Sequence, residues 1–291
     1  MNIENKIKGA YYGIQIGDAL GAVVEGFSKK MIQKRYGRVI EYKSGIWGIP
    51  YFLRLEGSGT DDTRLSLAVL RGLLEKDPVI GLTKAFDRER FNFLHVGKTL
   101  FYAYLLHSGN WNQTSKRVDA KLNGNTAGNG ALMRTLPVAL LFNNWEEIQK
   151  YTVYQAEMTH LHPTSTESCL VYNKIAFLIL QEFSLKESII AATRNTKYEN
   201  IYLQTPHVPP NGYSFYTLTW VLYWLCQSDT LEEAILGAVN EGGDADTIAS
   251  LVGGISGLYY GFDAIPNHLL SIRGTDILDE CAHKTYIFRS S

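Results

Sequence analysis

The chain has 291 residues, 45% apolar and 20% charged, and a globular chain of this length buries roughly 75% of its unfolded surface without needing disulfides or structural metal. Its 28 Lys and Arg stand against 29 Asp and Glu, a formal charge of −1 that argues against a general nucleic-acid or polyanion binder, which normally carries a basic surplus or a concentrated basic stripe, while leaving room for a local phosphate pocket. Cys169, Cys226 and Cys281 are far apart and odd in number, so they give neither a disulfide scaffold nor a metal knuckle, and a reducing cytoplasm is expected.

The opening MNIENKIKG lacks the apolar core of a signal peptide, and no apolar run reaches the length of a membrane span. The first predicted helix covers 3–22, with Ile7, Tyr11, Ile14 and Ile16 near one side and Gly9, Ala10, Gly13 and Gly17 between them. Glycine costs a helix about 1 kcal/mol against alanine, so several in one helix point to the close approach of another backbone or a ligand. Residues 38–56 are irregular and rich in Gly, Pro and aromatics, and read as a long loop able to hold a short hairpin. A helix over 61–75 carries the apolar stripe Leu65, Ala68, Val69, Leu73 and stops at Lys76-Asp77-Pro78. Helical periodicity continues over 80–106, 130–143, 145–158, 165–181 and 185–193. A second irregular stretch at 198–214 precedes helices over 215–226, 231–240 and 246–260, and a last one is expected over 274–289. Strand-like alternation is scarce and neither irregular stretch is a polar linker, so one all-helical domain over residues 1–291 is expected.

Acidic clusters mark the candidate chemistry. GDALGAVVEG at 17–26 sets Asp18 and Glu25 seven apart, nearly two helical turns, so both can share a face. Hydrogen bonding by Asp18 to nearby helix ends, with Glu25 capping or facing water, is the plainer alternative. In GSGTDDTRLSLAV at 57–69, two adjacent carboxylates exceed what one helix cap requires, and hard cations such as Mg²⁺ want oxygen ligands of this type. Arg64 beside them can neutralise them instead. NEGGDADTIASLVGG at 240–254 repeats the pattern: a glycine turn, two Asp, a Thr and a helix start. The repetition suggests convergence on one point, where Thr60, Asp61, Asp62, Asp244, Asp246 and Thr247 offer oxygens enough for two hard cations. In GNTAGNGALMRTLPV at 124–138, Gly128-Asn129-Gly130 precedes a helix carrying Met133 and Arg134. Exposed N–H groups there suit a phosphate, or simply form a turn, and the segment is not a Walker loop. His160 and His162 are two apart, which is not a helical pair, so His160 fits holding a substrate or a satisfied loop position better than ligating a metal.

Taken together, GDALG at 17–21 with Glu25, TDDT at 60–63, GNGALMR at 128–134, TH at 159–160 and GGDADT at 242–247 resemble the ADP-ribosylglycohydrolase superfamily. That superfamily includes the dinitrogenase reductase-activating glycohydrolases and the ADP-ribosylarginine hydrolases. The resemblance implies a compact all-α, multi-helix orthogonal bundle around a cleft holding two divalent cations, Mg²⁺ or Mn²⁺. It implies that Thr60, Asp61, Asp62, Asp244, Asp246 and Thr247 ligate them. The implied activity is release of ADP-ribose from an ADP-ribosylated protein or a small ADP-ribosyl conjugate, protein arginine foremost, by attack of metal-bound water at the anomeric carbon. Glu25 matches the acidic residue that nears the metals in some members, and Glu25, Asp61 or Asp62 is expected to relay the proton. Gly128, Asn129, Gly130, Met133, Arg134 and His160 are expected against the substrate, with N–H donors and Arg134 serving the diphosphate. Asp18 is expected to be structural and Arg64 to point outward. Trp47, Tyr51, Phe52, Tyr213 and Phe215 can stack on adenine or pack in the core. A cytoplasmic monomer is expected. A catalytically silent ADP-ribose-binding relative, or a dimetal hydrolase of another ribosyl or phosphate compound, are the alternatives.

Overall fold

Fourteen α-helices, joined by short 3₁₀ turns, make up the computed structural model, which describes residues 2–43 and 55–291 and, within them, all side chains except those of residues 93–95. Most helices open on a side chain that satisfies an otherwise unpaired first-turn N–H. Asn2 caps α1 (Ile3–Gly21), Ser28 caps α2 (Lys29–Tyr36), and Thr60 caps α3 (Asp61–Leu73). Asp77 caps α4 (Pro78–Glu89), whose Pro at its first position needs no N–H partner.

Two expected elements take a different form. The pattern over 80–106 is not one helix: after α4 the chain passes through a 3₁₀ segment (Arg90–His95), and α5 (Lys98–Leu106) restarts at Gly97. The pattern over 130–143 shortens to a 3₁₀ turn (Asn129–Ala131) and a six-residue α7 (Leu136–Leu141). Helices α2 and α6 (Trp111–Lys121) were not anticipated, because both are mainly polar and expose one flank to water. The later helices fall close to expectation: α8 (Trp145–Glu157), α9 (Pro163–Leu180), α10 (Leu185–Thr193), α11 (Ser214–Gln227), α12 (Leu231–Glu241), α13 (Ala245–Tyr260) and α14 (Thr275–Ser290). No hairpin occurs among the described residues. Two isolated antiparallel bridges, Ser28 with Gly242 and Gly128 with Tyr213, are the extended pairings found there. Trp47, Tyr51 and Phe52 lie outside the described residues.

One hydrophobic cluster draws residues from Ile7 to Ala282, and α1 and α13 run antiparallel through it. Their contact is backbone on backbone. A Cβ added to Gly9, Gly13, Gly17 or Gly21 would lie 2.3 Å from the Gly257 oxygen, 2.0 Å from that of Gly253, 1.9 Å from that of Ala249 and 2.4 Å from that of Ala245, respectively. Real Cβ atoms do not come that close to backbone oxygens. The glycines anticipated as a close-approach surface are therefore a groove for α13, and each helical turn along α1 meets the preceding turn of α13. This register sets Asp18, next to Gly17, beside the first turn of α13, where Asp246 lies.

Candidate metal centre

Both acidic motifs open helices, and in neither does a carboxylate act as the cap. Thr60 Oγ1 caps α3 by accepting from the Asp62 N–H at 3.0 Å, which leaves Asp61 and Asp62 free of that role. Asp244 stands at the cap position of α13 but makes no side-chain capping bond. Helix starts favour negative charge, so these ends tolerate a concentration of carboxylates that a helix middle would not.

Three backbone devices bring the pieces together. First, the α1–α13 register sets Asp18 against Asp62 and Asp246. Asp18 Oδ2 accepts from the Thr60 N–H at 2.7 Å, the Thr63 N–H at 3.0 Å and the Thr63 hydroxyl at 2.6 Å, so it tethers the start of α3 to α1. Second, Gly26 N donates to the Gly243 oxygen and Gly243 N to the Phe27 oxygen, both at 2.7 Å, holding Glu25 beside the α13 start. Gly242 is obligatory in that clamp: its φ is +76°, and a Cβ there would lie 2.1 Å from the Phe27 oxygen. Third, Asn129 N donates to the Gly212 oxygen at 2.9 Å while its side-chain amide donates to Asp244 Oδ2 and to Thr217 Oγ1, joining the 128–130 turn to the acidic centre.

The outcome is two groups of carboxylates. One is formed by Asp18, Asp62 and Asp246 and the other by Glu25, Asp244 and Asp246, with one oxygen of each residue within 4.8 Å of the others in its group. Asp246 belongs to both. Asp62 Oδ1 is buried without a hydrogen-bond partner, which is costly for a carboxylate oxygen unless something positive meets it. The Thr60 and Thr247 hydroxyls lie against Asp62 Oδ2 at 3.1 and 3.4 Å. The donor set is all oxygen, as hard divalent cations require, so the residues present fit such ions.

The centre opens on a cleft of about 310 Å³. Glu25, Asp61, Asp62, Asp244, Asp246 and Thr247 line it together with Gly128, Asn129, Gly130, Met133 and His160. These are residues that the sequence singled out, and the fold brings them into one cleft. Asp18, expected to be structural, does tether the start of α3 and also stands in one of the carboxylate groups. It does not share a helix face with Glu25, because α1 ends at Gly21 and Glu25 follows in a turn. Gly97, Lys98, Thr99 and Leu100 also line the cleft, at the unanticipated start of α5. The Gly97 within the expected helix was the available signal for that break.

Two arginines differ from expectation. Arg64 is not turned away to solvent: its Nε donates to Glu89 Oε2 at 2.8 Å, and its Nη2 is buried. Arg134 does not line the cleft. It is fully buried behind Met133, its guanidinium donates to Gln155 and Thr159, and it lies 4.5 Å over the Phe86 ring. Tyr213 is 39% exposed and Phe215 packs beside Tyr198.

Burial foremost, with repulsion from neighbouring carboxylates, raises the pKa values of Asp61, Asp62, Asp244 and Asp246. Burial raises Asp61 to about 7, opposed by Arg64 and assisted by Asp18 and Glu25, and raises Asp244 to about 6, against an ordinary 3.8. Asp62 and Asp246 rise well above the usual range for the same reasons. Folded pKa values above the unfolded one mean that the metal-free fold holds extra protons between about pH 4 and pH 7. The repulsion is therefore absent below that window and grows as pH rises through the folded pKa values. Divalent cations compete with those protons. The rise in Tm on adding Mg²⁺ or Mn²⁺ should accordingly be larger near pH 8 than near pH 5.5, by about 3 °C. Thermal melts with and without metal measure this, and a rise that is equal or larger at the acid pH contradicts the assignment.

Comparison with known proteins agrees with this geometry. A family model described as ADP-ribosylglycohydrolase matches residues 1–289. The ADP-ribosyl-[dinitrogen reductase] glycohydrolase of Rhodospirillum rubrum is 31% identical over 281 residues, covering 93% of this chain and 90% of its own. An ADP-ribosylarginine hydrolase Tri1 of Serratia proteamaculans is 24% identical over 286 residues, covering 90% and 73%. A solved structure titled ADP-ribosylglycohydrolase-related protein complex superposes with a TM-score of 0.78 at 27% identity, covering 98% of both chains.

Proposed function

The chain belongs to the ADP-ribosylglycohydrolase family, and we propose that it is a metal-dependent hydrolase that releases ADP-ribose from an ADP-ribosylated acceptor, protein arginine foremost. The observation that carries this reading is the pair of carboxylate groups sharing Asp246 in a cleft also lined by the Gly128–Gly130 turn. Two sites sharing a ligand favour two ions over one. Asp18, Asp62 and Asp246 would hold the first, with the Thr60 and Thr247 hydroxyls beside them, and Glu25, Asp244 and Asp246 the second. Mg²⁺ or Mn²⁺ bound there supplies Lewis acidity toward sugar hydroxyls and a lowered pKa for water.

The protein's own groups do the rest. The Gly128–Gly130 turn and the His160 ring would meet the ligand beside the carboxylates, the Asn129 N–H being already given to the Gly212 oxygen. Met133 adds apolar surface to the cleft. Asp61 lines the cleft outside both carboxylate groups, which suits it to pass a proton to the departing nitrogen or hydroxyl as well as to assist in holding an ion. A scheme with two carboxylates acting as nucleophile and acid does not suit this centre, since most of its carboxylates are grouped for cations. The arginine preference draws on the Serratia relative, whose name states that linkage.

The test is release of free ADP-ribose from an ADP-ribosylated arginine peptide in Mg²⁺ or Mn²⁺, with a serine-linked peptide in parallel. Release that EDTA stops supports the reading. Release from the serine peptide alone corrects the acceptor. ADP-ribose binding without turnover on either peptide would instead make the protein a silent relative.

A further inference from the structure

Behind the cleft a buried chain of hydrogen bonds runs from Arg134 through Thr159 to His160. Arg134 can only donate. Its Nε donates to Gln155 Oε1 at 2.9 Å, and its Nη2 donates to the Gln155 main-chain oxygen and to Thr159 Oγ1, both at 2.8 Å. The Gln155 amide is fixed in that sense, because its Nε2 donates to the Ala131 oxygen and to Thr135 Oγ1, each at 3.2 Å. Thr159 is fully buried, and its hydroxyl has one further partner among the described residues, His160 Nδ1 at 2.7 Å. The Thr159 oxygen can accept twice, but its own buried hydrogen has no acceptor among the described residues other than His160 Nδ1, and leaving it unpaired is costly, so it goes there. That nitrogen is therefore the acceptor and carries no proton. The ring proton sits on Nε2, which has no hydrogen-bond partner among the described residues. It lies next to the glycine turn: a Cβ on Gly128 would be 3.3 Å from it, and one on Gly130 3.1 Å.

We propose that Arg134 and Thr159 are positioning residues that lock His160 as its Nε2–H tautomer, so that it serves the cleft as a hydrogen-bond donor to a ligand oxygen and not as a base. The donor role rests on reading the cleft as an ADP-ribose site, whereas the tautomer rests on the hydrogen bonds alone. Burial, reinforced by the Arg134 charge, holds the His160 pKa well below its ordinary value, so the ring stays neutral. The arrangement also explains the glycines. A Cβ at position 130 would crowd the ring edge at 3.0 Å and one at position 128 would press it at 3.3 Å, so a side chain at either would push the donor out of place.

The experiment is a long-range ¹⁵N–¹H correlation spectrum of the full chain labelled at histidine, near neutral pH, with the His160 signals assigned by their loss in His160→Gln. The expected pattern is a protonated Nε2 and a bare Nδ1. A protonated Nδ1, or a doubly protonated ring, overturns the proposal. Thr159→Val removes the hydroxyl at nearly constant shape, and should release the tautomer and weaken ADP-ribose binding about tenfold, read by calorimetry in saturating Mg²⁺. Thr159→Ser keeps the hydroxyl and should restore both. A Thr159→Val protein that melts normally with wild-type tautomer and affinity overturns the proposal. If the wild type shows the expected tautomer and binds no ADP-ribose, the functional reading fails while the relay itself is supported.

Discussion

Asp246→Asn should abolish turnover while making the metal-free protein more stable. Asp246 is the carboxylate common to both groups, so neutralising it weakens the partnership of Asp18 and Asp62 and that of Glu25 and Asp244 at one stroke. Asn keeps the shape and one oxygen but brings no charge, and hard cations take much of their binding energy from that charge. Hydrolysis of an ADP-ribosylated peptide should fall by about a thousandfold or more, with metal content dropping in parallel when measured by plasma emission. Asp244→Asn touches one group alone and should lose less of both. The stability change has the opposite sign. Without metal, Asp246 is a buried carboxylate repelled by Glu25, Asp62, Asp244 and Asp18, and removing its charge relieves that cost, by about 1 kcal/mol in urea unfolding. A residue that mattered only to the fold would lose activity and stability together. An Asp246→Asn protein with full metal occupancy and near-normal rate would remove the centre from the chemistry.

The site was more legible in the sequence than the path that builds it. TDDT and GGDADT each join a turn, adjacent or near-adjacent Asp and a helix start, and that local chemistry survives folding unchanged, so their convergence could be read from the chain. Asp18 could not be placed in the same way. Its partners lie on α3 and α13, and a spacing argument within one helix paired it with Glu25 although the helix stops between them. The usable signal was the fourfold glycine spacing at 9, 13, 17 and 21, which marks the side of α1 that another helix must touch. Arg134 shows a different limit. In GNGALMR the arginine follows the cleft turn by four residues, and nothing local says whether its long side chain turns to the cleft or to the core. The answer lies with Gln155 in the last turn of α8 and Thr159 just beyond it. Helices α2 and α6 escaped because they bury few residues each, so their apolar periodicity is faint and only Ser28 and Asn110 announce them.

The same glycine groove gives the largest stability effect expected of a single methyl group. Gly→Ala inside a helix normally stabilises by about 0.5–1 kcal/mol, because alanine loses less backbone freedom on folding. Gly17→Ala should do the reverse and cost about 3 kcal/mol or more. The new Cβ would lie 1.9 Å from the Ala249 oxygen and 2.3 Å from its carbonyl carbon, both backbone atoms that no rotamer change can clear. The helices must part by more than 1 Å to reach an ordinary contact of about 3.5 Å. Asp18 on α1 and Asp246 on α13 sit one residue from Gly17 and in the facing first turn, so parting the helices also opens the carboxylate group they share with Asp62. Gly17→Ala should therefore weaken Mg²⁺ or Mn²⁺ binding as well as lower the urea midpoint, although position 17 touches neither metal nor ligand. Gly9→Ala meets a comparable clash at 2.3 Å, two helical turns further from the centre, and should cost stability with a smaller loss of metal affinity. Equal losses of affinity at both positions would mean that the groove holds the fold without setting the carboxylate geometry.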